Sequence, residues 1–250
     1  MVVENSSGRL PGGLGLWLSS PNLLLLELSV QKSVDVIVLD LEHGSFDLAT
    51  LDSFLCLARS LELVVLAKTL SPERASIQQP LDFGSAAVII PHVGNVDHAR
   101  CVTGFAKYPP SGTRSSSGGR SFHYRTPADD FFDRQNRETF CLPMIETAEA
   151  LEAVEAIAAL ETVDGLFVGP TDLSLRRGRG RYRRTDEDRS DLERIACAAA
   201  AAGKPWIMPA WTPLERDWAQ TLGAHLLIVA EEQAILSQGL DAALSNARNG

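Results

Sequence analysis

Short runs of consecutive apolar residues recur along the chain, and each is followed by a stretch with a helical pattern. The eight runs lie at residues 14–18, 34–42, 63–68, 86–92, 139–146, 165–170, 205–210 and 225–232. Because they are continuously apolar and do not alternate with polar residues, they predict strands covered on both faces. The stretches between them are amphipathic: after the fifth run, Leu151, Val154, Ile157 and Ala158 recur at the spacing of one helix face.

Strands that alternate with helices predict a parallel sheet built from βαβ units. Eight strands in 250 residues match a (β/α)₈ TIM barrel, with residues 1–250 forming one domain. An open doubly wound sheet is the alternative, since counting strands does not establish closure. No GxGxxG sequence follows a strand, so a dinucleotide-binding fold has no support. The Pro-, Gly- and Ser-rich segment 108–130 predicts a loop insertion, and residues 232–247 predict a C-terminal helix with an apolar stripe.

The charge of the chain limits its partners. A net charge of -9 argues against a protein that binds the nucleic-acid backbone. The exception is residues 176–184, which hold six arginines in nine positions. This segment is either a solvent-exposed loop or an anion-binding flap over a site.

The cysteines and the apolar runs indicate the compartment. Cys56, Cys101, Cys141 and Cys197 lack the spacing of zinc ligands, and reduced thiols are the expectation in a chain of this length. The apolar run at 23–30 contains Glu27 and is too short to span a bilayer, and the N-terminal sequence lacks the features of a signal peptide. We therefore expect a cytoplasmic protein that does not associate with membranes.

Polar side chains stand where the apolar runs end. The second run ends in Glu42 and His43, the third in Lys68, the fourth in His92 and the fifth in Glu146, and the sixth leads to Asp172. The carboxyl ends of barrel strands converge on the rim where active sites lie. Glu146 and Asp172 are therefore candidate oxygen ligands for Mg²⁺ or Mn²⁺. Taken singly, a glutamate at a strand end can instead serve as a cap or salt-bridge partner, and His43 can be a histidine satisfied by hydrogen bonds.

Five motifs in this order resemble those of the HpcH/HpaI-type class II pyruvate aldolase family. They are "DLEHGSFD" (40–47), "LDFGSAAVIIPHVGNVDHAR" (81–100), "YPPSGTR" (108–114), "MIETAEALEAVEAI" (144–157) and "VDGLFVGPTDLS" (163–174). The resemblance implies a (β/α)₈ barrel in which a divalent metal binds pyruvate. Such enzymes cleave 4-hydroxy-2-oxo acids to pyruvate and an aldehyde, and catalyse the reverse condensation.

The resemblance also implies roles for individual residues. Glu146 and Asp172 would hold the metal, which would be Mg²⁺ or Mn²⁺ with Co²⁺ as a further candidate. Glu42 would act through a metal-bound water. His43 and Asp82 would form a dyad that moves protons.

The substrate contacts and the assembly are implied in the same way. The backbone amides of Gly169, Pro170 and Thr171 would hold the carboxylate of a small-molecule 2-oxo acid. The family resemblance further implies a homo-oligomer, with dimers formed by exchange of the last helix and grouped as hexamers.

Departures from the family pattern, Lys68 above all, leave other functions open. Lys68 stands where the family has arginine. Arginine directs two N–H groups at one acceptor, whereas lysine offers one compact charge, so this exchange predicts weaker catalysis or a different substrate. Lys68 could also form a Schiff base.

The "IIPHV" sequence containing His92 resembles synthases that join an oxaloacetate-derived enolate to another partner, although His92 could simply pack under the rim. A non-catalytic binding protein with a vestigial site, using residues 176–184 as a partner surface, is the remaining hypothesis.

Overall fold

The computed structural model describes residues 9–249, so residues 1–8 and 250 of the predicted domain lie outside the described part. Eight parallel strands form a closed barrel in chain order, with β8 pairing to β1. The strands are β1 (Gly13–Leu18), β2 (Val36–Asp40), β3 (Val64–Lys68), β4 (Ala87–Ile90), β5 (Phe140–Ile145), β6 (Leu166–Val168), β7 (Trp206–Pro209) and β8 (Leu226–Glu231). The (β/α)₈ barrel is confirmed, and the open sheet is excluded.

Helices connect consecutive strands and cover the outside of the barrel. They are α1 (Leu23–Gln31), α2 (Leu48–Ser60), α3 (Arg74–Phe83), α4 (Val96–Gly104), α5 (Phe131–Glu138), α6 (Ala148–Glu152), α7 (Val154–Ala158), α8 (Pro170–Arg176), α9 (Asp186–Ala201), α10 (Pro213–Thr221) and α11 (Glu232–Asn249). The helix predicted after the fifth strand is divided into α6 and α7 at Ala153. It is capped by Thr147, whose hydroxyl accepts from the amide of Ala150 at 3.0 Å.

The strands bury side chains on both faces, which explains their continuous apolar sequence. Val38, Leu66, Ile89 and Leu142 fill the interior of the barrel and are fully buried. The neighbouring residues on each strand, such as Ile37, point outward to the helices. This double burial fixes each strand, and with it the direction in which its last residue points.

The predicted insertion at 108–130 is a packed loop with one 3₁₀ turn (Gly119–Phe122). Tyr108 packs edge-on to Phe132, with ring centroids 4.9 Å apart. The buried guanidinium of Arg114 lies 4.6 Å from the Tyr108 ring centroid and pairs with Asp82 on α3 at 2.7 Å. The loop is therefore tied to the barrel by aromatic packing and one buried ion pair.

The arginine-rich segment 176–184 is bound to the helices that follow it. Arg179 pairs with Asp188 and Asp191 on α9, and Arg184 pairs with Glu215 on α10 at 2.8 Å. These carboxylates neutralise part of the segment, so its charge is only partly available to a ligand.

The C-terminal helix is present, and part of its apolar stripe faces solvent. Leu236, Leu240 and Leu244 on α11 are 55%, 60% and 42% exposed. Exchange of this helix between subunits stays a prediction. In the described part of the chain, no helix is long and apolar enough to cross a membrane.

Candidate active site

The turn after β2 is organised by Asp40, the last residue of the strand. Its Oδ1 accepts from the amides of Glu42 and His43 at 3.2 and 3.0 Å, and its Oδ2 accepts from the Trp17 indole at 3.2 Å. Gly44 closes the turn, where a Cβ would lie 2.1 Å from the carbonyl oxygen of Asp40. Glycine is therefore required for the turn that directs Glu42 toward the neighbouring strand ends.

Lys68, the last residue of β3, is buried in an ion pair. Its Nζ lies 2.5 Å from Glu42 Oε2 and 3.5 Å from Asp40 Oδ1, and 5.9 Å from the ring centroid of Trp17. Burial alone would raise the pKa of Glu42, but Lys68, followed by His92 and His43, more than offsets burial and lowers that pKa. An ammonium group flanked by two carboxylates suits an electrostatic role better than that of a neutral amine nucleophile.

His92 follows β4 and joins two carboxylates. Its amide donates to Glu146 Oε1 at 2.6 Å, while its Nε2 lies 2.6 Å from Glu42 Oε1. The backbone holds a left-handed conformation with φ of 55°, which is uncommon for a residue other than glycine and occurs at functional sites. His92 therefore contacts two acidic residues of the candidate site, and a role for it beyond packing at the rim stays a prediction.

Glu146 and Asp172 line one cavity of about 250 Å³ at the carboxyl ends of the strands. Glu146, which follows β5, is 2% exposed. Burial chiefly raises its pKa and the negative charge of Asp172 adds to the increase, although His92 acts in the opposite direction. Its Oε2 lies beside Gly169, only 3.0 Å from where a Cβ of that residue would stand. Two acidic groups therefore face one cavity, and each acts electrostatically on the other.

This pair fits a divalent cation. Within residues 9–249, no salt bridge joins Asp172 to a cationic side chain. Glu146 has the imidazole of His92 at 3.3 Å, and the charge of Lys68 also acts on it from the same cavity. No cluster of three or more His, Cys, Asp or Glu side chains suited to a metal occurs in the same part of the chain. Proteins bind Mg²⁺ in this manner: one or two carboxylates hold the ion, and the remaining coordination positions are left to water and substrate.

The predicted dyad of His43 and Asp82 does not form within one chain. His43 lines the cavity, and its side chain is 67% exposed. Asp82 lies at the end of α3, which runs back from the rim, and its carboxylate pairs with Arg114. Since α3 ends where β4 begins, Asp82 lies at the opposite end of the barrel. Within one chain these two side chains are therefore apart, and the dyad stays a prediction.

The predicted cradle of three amides is wrong. The amide of Gly169 donates to the carbonyl of Ile145 at 3.1 Å, and Pro170 has no N–H. Of the three residues, only Thr171, in the first turn of α8, has an amide that can be offered to a ligand. All three residues nevertheless line the cavity.

The lining residues that the sequence analysis did not select include Trp17, Trp211 and Glu231. They lie at or directly after the ends of β1, β7 and β8. The rule that selected Glu146, namely a polar residue at the end of an apolar run, points to Glu231, and extending it to aromatic residues adds Trp211. Trp17 lies inside the first run, so this rule does not select it.

A closed barrel with paired acidic groups at the carboxyl ends of its strands defines a (β/α)₈-barrel enzyme with a candidate metal site. Residues 13–213 match the family described as HpcH/HpaI aldolase/citrate lyase. The chain belongs to this family, whose members are enzymes, and it is a carbon–carbon lyase.

Two curated relatives are aldolases. The chain is 30% identical over 233 residues to the 4-hydroxy-2-oxo-heptane-1,7-dioate aldolase of Salmonella paratyphi C, covering 92% of this chain and 88% of the relative. It is 29% identical over 239 residues to the 2-keto-3-deoxy-L-rhamnonate aldolase of Salmonella paratyphi B, covering 93% and 87%.

Solved structures share the fold. The HpcH/HpaI aldolase of Desulfitobacterium hafniense DCB-2 has a TM-score of 0.89 at 24% identity, covering 98% of this chain and 95% of that one. The citrate synthase SbnG has a TM-score of 0.86 at 23% identity, covering 99% and 98%. Macrophomate synthase has a TM-score of 0.83 at 23% identity, covering 94% and 84%.

Proposed function

We propose that the protein is a metal-dependent aldolase that cleaves 4-hydroxy-2-oxo acids to pyruvate and an aldehyde, and runs the reverse condensation. The observation that carries this proposal is the pair of carboxylates, Glu146 and Asp172, facing one cavity at the carboxyl ends of the strands. The two curated relatives support it, because each is named as an aldolase of an oxo acid.

Glu146 and Asp172 would hold the divalent ion, which would supply Lewis-acid stabilisation of negative charge on the oxo acid. Mg²⁺ and Mn²⁺ suit these oxygen donors best, and Co²⁺ is a further candidate. Thr171 would donate its amide to the carboxylate of the substrate. Lys68 places a fixed positive charge in the same cavity, where it would favour binding of a negatively charged oxo acid.

Cleavage requires one proton to leave the 4-hydroxyl and one proton to reach C3 after the C3–C4 bond breaks. His43 is the side chain we assign to the first transfer, because its imidazole is exposed in the cavity. Its Nε2 lies 3.5 Å from Glu42 Oε2, so this carboxylate would orient the ring within one chain. Both carboxylate oxygens of Glu42 already have contacts, Oε2 with Lys68 and Oε1 with His92. The action of Glu42 through a metal-bound water stays a prediction.

Pyruvate release can be followed by reduction with lactate dehydrogenase and NADH. A 4-hydroxy-2-oxo acid should be cleaved by the protein after addition of Mg²⁺ or Mn²⁺, and EDTA should abolish the reaction. Addition of pyruvate to the EDTA sample controls for the coupling enzyme. Undiminished cleavage after exhaustive chelation would refute the metal-dependent proposal.

A second candidate is a reaction of oxaloacetate, either decarboxylation or joining of its enolate to another partner. The position of His92 between Glu42 and Glu146 favours it, since an extra imidazole at the site could transfer a further proton. The same coupled assay tests it, with oxaloacetate as substrate and metal without protein as the blank. Pyruvate formation above this blank would support decarboxylation, and loss of oxaloacetate without pyruvate release would support joining of the enolate to another partner. Absence of both would leave the aldolase alone.

A further inference from the structure

The barrel mouth has a second wall that the groups assigned above do not use. It is lined by Trp17, Pro209, Trp211 and Glu231, at the ends of β1, β7 and β8. Because the strands follow chain order around a closed barrel, β8 and β1 lie across the mouth from β5, which leads to Glu146. A substrate whose oxo-acid end lies beside Glu146 and Asp172 would extend its other end toward this wall.

An irregularity in the sheet directs Glu231 into the mouth. Along β1 and β8, Gly15 is opposite Ile228, but the next residue, Leu16, is opposite Ala230, so β8 contains one extra residue. Since strand side chains alternate between faces, a one-residue shift reverses which residues point inward. Trp17, which packs against the barrel interior, is consequently opposite Glu231.

Glu231 differs from the glutamate next to it. Glu232 is buried and accepts hydrogen bonds from the amides of Ser19 and Ser20 and from the side chain of Asn22. Within residues 9–249, the side chain of Glu231 makes no hydrogen bond or salt bridge, and it is exposed.

The other carboxylates of the cavity have an ion-pair partner or a proposed ligand role. Lys68 and Asp40 pair with each other, and Lys68 also pairs with Glu42. Glu146 and Asp172 are the proposed cation ligands. Glu231 is therefore the negative charge left uncompensated in the cavity, beside two indole rings.

We propose that Glu231, with Trp17 and Trp211, forms the subsite for the aldehyde portion of the substrate and selects a neutral, hydroxyl-bearing aldehyde over one that carries a carboxylate. This inference rests on the proposed aldolase function. A carboxylate accepts hydrogen bonds from substrate hydroxyls, and indole rings pack against the carbon atoms between them. A second carboxylate at the same place would meet like-charge repulsion.

The test is condensation of pyruvate with three aldehydes in the presence of Mg²⁺: glyceraldehyde, butyraldehyde and succinic semialdehyde. The wild type should show the highest kcat/KM with glyceraldehyde and the lowest with succinic semialdehyde, with a ratio of about tenfold or more. Glu231→Gln should raise kcat/KM for succinic semialdehyde by about tenfold and lower it for glyceraldehyde only slightly, since the amide oxygen still accepts. Glu231→Lys should make succinic semialdehyde the preferred aldehyde.

The exposed Glu193 on α9 provides the matched control, and Glu193→Gln should leave all three values unchanged. Turnover with an unchanged preference in both Glu231 variants would overturn the inference and leave the aldolase proposal intact. A wild-type protein that prefers succinic semialdehyde would also overturn the inference and leave the aldolase proposal intact. Absence of turnover with every aldehyde would overturn the proposed function, and this inference with it.

Discussion

The backbone amide of His92 donates to Oε1 of Glu146 at 2.6 Å, and the imidazole of the same residue reaches Glu42 at 2.6 Å. The contact occupies one oxygen of Glu146, while Oε2 lies on the side of Gly169. His92 thus orients the candidate metal ligand through its backbone and links that ligand to the Lys68–Glu42 pair through its ring.

Replacing the ring should weaken metal binding without unfolding the protein. His92→Ala keeps the amide but removes the imidazole, and loss of such an outer contact lowers metal affinity about 10- to 100-fold. Titration of the metal-free protein with Mn²⁺, followed by electron paramagnetic resonance, measures this directly. His92→Gln, which can still bond to Glu42, should recover part of the affinity. Equal affinities in the wild type and His92→Ala would show that the ring has no positioning role.

Removal of the charge on Glu42 should destabilise the fold. Lys68 and Glu42 are 6% and 11% exposed, and Glu42→Gln leaves the buried Lys68 with Asp40 alone, at 3.5 Å. The cost should therefore be below the roughly 3–5 kcal/mol of a buried charge left with no partner. Glu42→Gln should therefore unfold at lower urea at pH 7. The double variant Glu42→Gln/Lys68→Met should recover most of the lost free energy of unfolding, because neither charge remains. A Glu42→Gln variant as stable as the wild type would contradict the buried pair.

The same pair predicts a pH dependence. The pKa of Glu42 is lowered in the folded chain from its usual 4.5, so near that pH the unfolded state binds more protons than the folded state. Its stabilisation is present above pH 4.5 and is lost as the pH falls through the folded pKa. The difference in unfolding free energy between wild type and Glu42→Gln should shrink on acidification. A difference that stays constant from pH 7 to pH 3 would exclude this linkage.

The fold could be predicted from the sequence because burial on both faces makes each barrel strand continuously apolar, as in β4 and β5. The candidate site residues at the strand ends could be predicted for the same reason. A strand that is buried on both faces has a fixed position, so its last side chain lies at the rim. The role of Asp82 could not be inferred, because the motif that contains it belongs to a helix running away from that rim. Glu231 and Glu232 both end the eighth apolar run, but which of them faces the cavity depends on one extra residue in β8, and hydrophobic periodicity does not reveal such a shift.

Lys68→Arg tests the departure from the family pattern. A guanidinium can keep a bond to Glu42 and direct a second N–H toward the substrate, whereas the Lys68 ammonium is held by Glu42 and Asp40. We expect Lys68→Arg to raise kcat for aldol cleavage and Lys68→Met to lower it, both measured by pyruvate release. No change, or a fall, in Lys68→Arg would contradict this account. Borohydride treatment with pyruvate should leave Lys68 unmodified by mass mapping, since the proposed reaction needs no Schiff base.

Gly169 tests whether Glu146 must occupy its observed position. A Cβ at Gly169 would lie 2.8 Å from Glu146 Cβ and 3.0 Å from its Oε2, so Gly169→Ala must displace the carboxylate. We expect the free energy of unfolding to fall by about 1–3 kcal/mol and Mn²⁺ affinity to fall with it, measured by urea denaturation and by titration. Gly239→Ala is the control, because Gly239 lies in α11 with nothing within 4 Å of an added Cβ. That change should stabilise the helix by about 0.5–1 kcal/mol and leave metal binding unaltered. If Gly169→Ala binds Mn²⁺ as the wild type does, the oxygen beside Gly169 is not the one that holds the ion.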